Sequence, residues 1–241
     1  MLVGLICAWK IANKKIRYAS YFACFLTVLL KCLCGYEYIS TVMMGLISFL
    51  VVEAIVNLID HNKKEFDLLL RTIIIIGITA LSGFAVAIII HASLRGSGDI
   101  FQGVKEIIKQ DVLRRTYGAN LNDFESIYWY SFNASIWETF SKYFKFSTQI
   151  ITGIDGNLFP LLCIIPIGIF LYDYKKHLLD VGQFAMYIVF FITSISWFCL
   201  AKSHSYIHVL LNYVLWYFGF VQVCLYVIID KCIQIFSKRK G

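Results

Sequence analysis

The 241-residue chain is 59% hydrophobic, 17% aromatic and only 15% charged. Soluble domains carry nearer one quarter charged residues, so this composition excludes an ordinary water-soluble enzyme and points to helices that cross a bilayer. The net charge of +7 does not indicate nucleic acid, because the basic residues are split among short connections between apolar runs rather than gathered in a phosphate-tracking stripe.

A helical bilayer crossing takes about 20 apolar residues. Met1–Trp9 is too short for one and is closed by Lys10, Lys14, Lys15 and Arg17. It lacks a positive charge ahead of its apolar core and a small-residue cleavage site, so it does not read as a signal peptide. It reads as the tail of a span, with the remainder supplied by an upstream N-terminal portion or a partner subunit. Spans follow over Tyr18–Leu33, Tyr38–Ile59 and Leu68–Ile90. The short Gly35–Glu37 link makes the first two antiparallel neighbours. Glu53 and Asn57, one turn apart, read as a helix-packing hydrogen bond close to a charged turn at Asp60–Glu65.

From His91 to Asn157 the chain turns polar. Ile100, Phe101, Val104, Ile107, Ile108 and Val112 recur at helical spacing, with Asp99 placed to cap that helix, Gln102 in the position of a capping-box partner and Tyr117-Gly118 as its stop. Trp129, Phe132, Ile136, Trp137, Phe140 and Phe144 read as a second helix lying in the headgroup plane. Gly153, Asp155, Gly156 and Asn157 turn the chain back. Spans resume at Leu158–Tyr172, Gln183–Ala201 and Tyr206–Phe236; the last exceeds one bilayer thickness and so tilts or continues past the surface. Pro160 suits a first helical turn and Pro166 a helix interior, where it kinks.

Lysine and arginine set the orientation. Lys10, Lys14, Lys15, Arg17, Lys63, Lys64, Arg71, Lys175, Lys176, Lys231, Lys238, Arg239 and Lys240 fall on one side, and Lys31 and Lys202 on the other outside the long loop. That bias puts the C-terminus in the cytoplasm and the loop outside. The expected fold is all-α: a polytopic transmembrane helix bundle of about seven spans, the first truncated, with one long extracytoplasmic loop containing interfacial amphipathic helices. It forms a single integral-membrane domain, with N-terminal spans over 1–91, the loop over 92–157 and C-terminal spans over 158–241.

Chemistry belongs at the outer surface, where His91, Arg95, Lys202, His204 and His208 are brought together. Ionisable groups at membrane depth are costly and usually line a protein interior or a wet cavity. Arg95, Lys202, Arg114 and Arg115 suit a phosphate or pyrophosphate, since guanidinium donors match its oxygens, and a histidine or loop carboxylate would handle a proton. The competing reading makes the same residues anchors of helix ends at the interface. His204 and His208, four apart, have metal-ligand spacing with His91 as a third candidate, but no carboxylate completes the set, so no metal is assigned. Cys32 and Cys34 form a C-x-C without a second pair. Gly-rich phosphate loops, nucleotide fingerprints and a Ser–His–Asp arrangement are missing, and no cofactor is implied.

His91–Gly96, the segment Lys109–Gly118 and the run Trp197–His208 are similar to stretches of multi-spanning proteins encoded with bacterial surface-polysaccharide genes. More loosely they resemble the membrane half of GT-C type glycosyltransferases, over about two thirds of the chain from Tyr38 onward. The resemblance implies a protein of the bacterial plasma (inner) membrane in cell-surface polysaccharide assembly. It further implies glycosyl transfer from a lipid-linked sugar carried on polyprenyl phosphate or pyrophosphate. His91, Arg95, Arg114, Arg115, Lys202, His204 and His208 are its expected substrate contacts. The family's paired acidic motif in the first outer loop has no counterpart before the long loop here, so no catalytic residue is assigned. The alternatives are an O-antigen polymerase or ligase type protein and, from another class, a transporter or non-catalytic scaffold. A transporter would carry polar groups through the midplane.

Overall fold

A computed structural model describes residues 1–117, 120–143, 149–151, 154–155 and 159–238. The expected stop at Gly118, the last apolar position of the second loop helix (Phe144), the turn residues Gly153, Gly156 and Asn157, the span start at Leu158 and the basic Arg239 and Lys240 lie outside the described residues. The helices are α1 (Leu2–Trp9), α2 (Lys14–Cys34), α3 (Ile39–Ile59), α4 (Lys63–Arg95), α5 (Ile100–Ile107), α6 (Trp129–Asn133), α7 (Ile136–Tyr143), α8 (Phe159–Lys175), α9 (Val181–Leu200), α10 (Lys202–Ile207), α11 (Val209–Trp216) and α12 (Phe220–Lys238). A short antiparallel ladder pairs β1 (Gln149–Ile151) with β2 (Ile154–Asp155).

Among the described residues, five helices are long and apolar enough to cross a membrane: α2, α3, α4, α9 and most of α12. Three of them, α2, α4 and α9, start at short polar side chains that accept from otherwise unpartnered backbone N–H groups. The Asn13 carboxamide oxygen accepts from Lys15 and Ile16, that of Asn62 from Glu65, and the Asp180 carboxylate from Gln183. α4, with 33 residues, is about 50 Å long, well beyond the ~30 Å hydrocarbon layer. It therefore carries His91 and Arg95 past its apolar stretch.

Packing differs from the sequence expectation in two places. α2 and α3 touch each other little, because α4 packs along both; the Gly83 face of α4 admits the α2 backbone so closely that a Cβ would overlap the Phe25 carbonyl. The continuous helix expected over Tyr206–Phe236 is instead α10, α11 and α12. His208 leaves helical geometry at the first break, and Gly219 adopts φ +112 at the second, beside the Phe190 ring. A positive φ there is open to glycine and strained for any side chain.

The core runs through α3, α9, α11 and α12, with Leu46, Leu50, Phe190, Phe198, Trp216 and Phe220 almost fully buried. Buried hydroxyls inside it are satisfied locally. Thr193 donates to the Val189 carbonyl and lies 3.0 Å from the Ser48 hydroxyl, and Ser194 donates to the Leu215 carbonyl. At one end of the bundle Lys231 pairs with Asp173, and Gln183 donates to Asp230, tying α8, α9 and α12 together.

Candidate anion-binding cleft at one end of the bundle

Three connections converge at the opposite end: the α2–α3 turn, the C-terminus of α4 with the chain after it, and α10. Asp99 caps α5 as expected, accepting from Phe101 and Gln102. Gln102 does not close a capping box; its amide reaches Glu106 instead. α5 folds back on α4 because Gly96 and Gly103 lack side chains: a Cβ on Gly103 would overlap the Ala92 carbonyl. A π-helical turn at Ile108–Leu113 then delivers Asp111, Arg114 and Arg115 to the end of the bundle.

Asp111 pairs with Arg95, and with Arg115 at 3.3 Å, while the same Arg115 Nη2 reaches Glu37 of the α2–α3 turn at 2.7 Å. A chain of alternating charge thus links α4, the π-helical turn and the start of α3. Burial pushes the Glu37 carboxyl up, but its own backbone N–H and the Arg115 guanidinium outweigh that and hold it below the usual glutamate range. The Arg115 side chain is 14% exposed, and its Nε and Nη1 are buried without a hydrogen-bond partner among the described residues. Unpaired buried donors of this kind are costly.

The long loop reaches α10 through both of its halves. The His204 amide donates to the Arg115 carbonyl, Ser203 Oγ to Thr116, Tyr117 Oη to Cys199 and Tyr143 Oη to Ser205. A cleft of about 170 Å³ opens between these segments, lined by Glu37, Arg114, Arg115, Tyr128, His204, Ile207 and His208. The His204 ring packs edge-on against Tyr38 and Trp197 and lies 4.6 Å from that of His208. Burial first, then His208 and Arg115, lower its pKa to about 4, so the imidazole is neutral near pH 7. Its Nδ1 is buried without a partner.

Four of the residues singled out in the sequence, Arg114, Arg115, His204 and His208, line one cleft. The other three stand apart from its lining. His91 Nδ1 lies 2.8 Å from the Tyr36 hydroxyl, and Arg95 acts on the cleft only through Asp111. Lys202, expected to contact a ligand, is 5% exposed, and its ammonium donates to the Phe132 and Ala134 carbonyls at 2.6 and 2.7 Å. It fastens the α6–α7 junction to α10. Burial lowers the Lys202 pKa, with Glu138 opposing. Sequence reasoning noted Glu37 only as marking a short turn, counted Asp111 among loop carboxylates read mostly as solvated helix faces, and passed over Tyr128. The i, i+4 spacing of Asp111 and Arg115 was the available signal for their pairing.

Against the Arg115 side of the cleft lies an apolar cavity of about 190 Å³, lined by residues of α3, α4, α5 and α9 and by Arg115 itself. Comparison with protein-family models, with curated proteins and with solved structures gives no match to this chain. The fold and the cleft together define a helical bundle with helices long and apolar enough to cross a membrane and a cationic, partly buried recess at one end.

Proposed function

We propose that the protein is an integral membrane protein of bacterial cell-surface polysaccharide assembly that binds a lipid-linked sugar, as polyprenyl phosphate or pyrophosphate, in this cleft. The observation that carries the reading is the meeting of Arg114 and Arg115 with His204 and His208 around one recess, where Arg115 keeps buried donors without acceptors. An anionic oxygen is the acceptor such donors match. In the ion-pair chain Arg95 and Arg115 meet Glu37 and Asp111, and Arg114 makes no ion pair among the described residues. The lysine and arginine bias of the short turns puts this end outside and the C-terminus in the cytoplasm. The spans then number about seven, counting α1, 8 residues long, as the truncated first and α8 as a shorter crossing.

Glycosyl transfer from the bound lipid phosphate is the proposed reaction class. Empty, the cleft is better fitted to hold an anion than to take a proton, because Glu37 and His204 both sit below the range of a general base at neutral pH. A phosphate beside His204 raises its proton affinity and brings it toward that range. The transporter alternative has less support: among the described residues the charged residues buried as a whole are Asp173 and Lys202, both near helix ends, and a midplane path needs polar groups between.

Arg115→Gln and His204→Gln should each cut surface-polysaccharide output at normal protein level. Arg71→Gln, on α4 at the far end of the bundle, should leave it unchanged. Full output from both cleft variants would remove this reading.

A further inference from the structure

The polar cleft and the apolar cavity share one residue, Arg115. On the cavity side its neighbours in the lining include Phe84 and Ile88 of α4, Val112 of the π-helical turn, and Trp197 and Leu200 of α9. Those of α4 and α9 lie toward the C-terminal ends of their helices, where the apolar stretches of both run out. Trp197 is 3% exposed, and its indole Nε1 is buried without a hydrogen-bond partner. An indole N–H only donates, so an acceptor at this junction would satisfy it together with the open donors of Arg115.

We infer that the cavity is a subsite for the hydrocarbon chain next to a phosphate seated at the junction, where Arg115 and the Trp197 indole N–H hold the oxygens. The chain enters from the bilayer between α4 and α9, and the sugar projects past Arg115 toward Tyr128, His204 and His208. This rests on the anion reading of the cleft and adds an orientation: the tail lies on the Trp197 side and the headgroup on the His208 side. An aliphatic occupant is favoured because the wall is built from apolar side chains and the polar groups in it, Arg115 and Asp111 foremost, gather where the cleft begins. Covering two methylenes of a chain contributes about tenfold in affinity.

The test uses the full chain in phosphatidylcholine nanodiscs, with equilibrium binding of dodecyl phosphate and of inorganic phosphate. Ile88→Trp and Leu200→Trp fill the cavity from two helices. Both should weaken dodecyl phosphate by about tenfold or more and leave inorganic phosphate unchanged. Trp197→Phe keeps an aromatic ring, though a smaller one, and removes the donor, and should weaken both ligands. If the two filled variants bind dodecyl phosphate as wild type does, the chain lies elsewhere and this inference fails while the anion site stands. If wild type binds neither phosphate, the anion reading itself fails and takes the subsite with it.

Discussion

Arg115 and Lys202 show how two cations at one end of a bundle come to different work. Arg115 spends one nitrogen on Glu37 and Asp111 and keeps others without partners, whereas Lys202 spends its ammonium on two backbone carbonyls. Lys202→Met removes both bonds and leaves two acceptors beneath the loop, which should cost about 2 kcal/mol or more. The thermal midpoint of the purified protein should fall, and protease cleavage between α6 and α7 should quicken; unchanged values of both would deny Lys202 its anchoring role. His204 gives a pH dependence with a defined sign. Its pKa is about 4 folded against an ordinary 6.5, so between these values the unfolded chain binds more protons. Its contribution is complete above pH 6.5 and is lost as pH falls toward about 4. The midpoint of wild type should therefore decline over that window more steeply than that of His204→Gln. Sequence spacing brought out Arg114, Arg115, His204 and His208 because charge and histidine are rare in so apolar a chain. It could not separate Lys202 from them, since nothing local to Lys202 foretells that carbonyls of Phe132 and Ala134, some 70 positions away, converge on it.

Among the elements, α5 and its π-helical turn place the site. They dock on α4 because Gly103 lets the backbone approach Ala92. Gly103→Ala should force the two helices apart, cost about 1–3 kcal/mol and weaken anion binding, although residue 103 touches no part of the cleft lining. Stability and binding equal to wild type would show that this contact does not position Arg115. The α5 periodicity and its Asp99 cap were legible because both are local signals. The second loop helix was legible only in part. Its apolar spacing suggested one helix, yet α6 and α7 are separate: Ser135 Oγ accepts from the Glu138 amide while the Glu138 carboxylate accepts from the Ser135 amide, a capping box that starts a new helix. The Ser135-x-x-Glu138 spacing is the local signal for that start. The breaks at His208 and Gly219 were hidden for a different reason. A continuous apolar run does not record where it bends, and the break at Gly219 depends on the Phe190 ring of another helix.

On the scale of the whole molecule, composition and charge asymmetry carry the class of fold, and five helices of crossing length are what the chain builds. The pairing of helices was less readable, because α2, α3 and α4 are apolar enough that periodicity does not mark which face meets which neighbour; small residues such as Gly83 decide it. The orientation is open to direct assay. With Cys34 and Cys199 replaced by Ser, Ser97→Cys should react with an impermeant maleimide on intact cells, and His177→Cys only after permeabilisation. The reverse order would place the cleft in the cytoplasm. The central claim is that this end of the bundle recognises the phosphate of a lipid carrier. Equilibrium binding of a polyprenyl monophosphate and of the matching uncharged polyprenol to the purified protein in nanodiscs separates charge recognition from partitioning into lipid. Wild type should bind the phosphate about tenfold or more tightly than the alcohol, and the Arg114→Gln/Arg115→Gln double variant should erase that difference. Equal binding of phosphate and alcohol by wild type would contradict the claim.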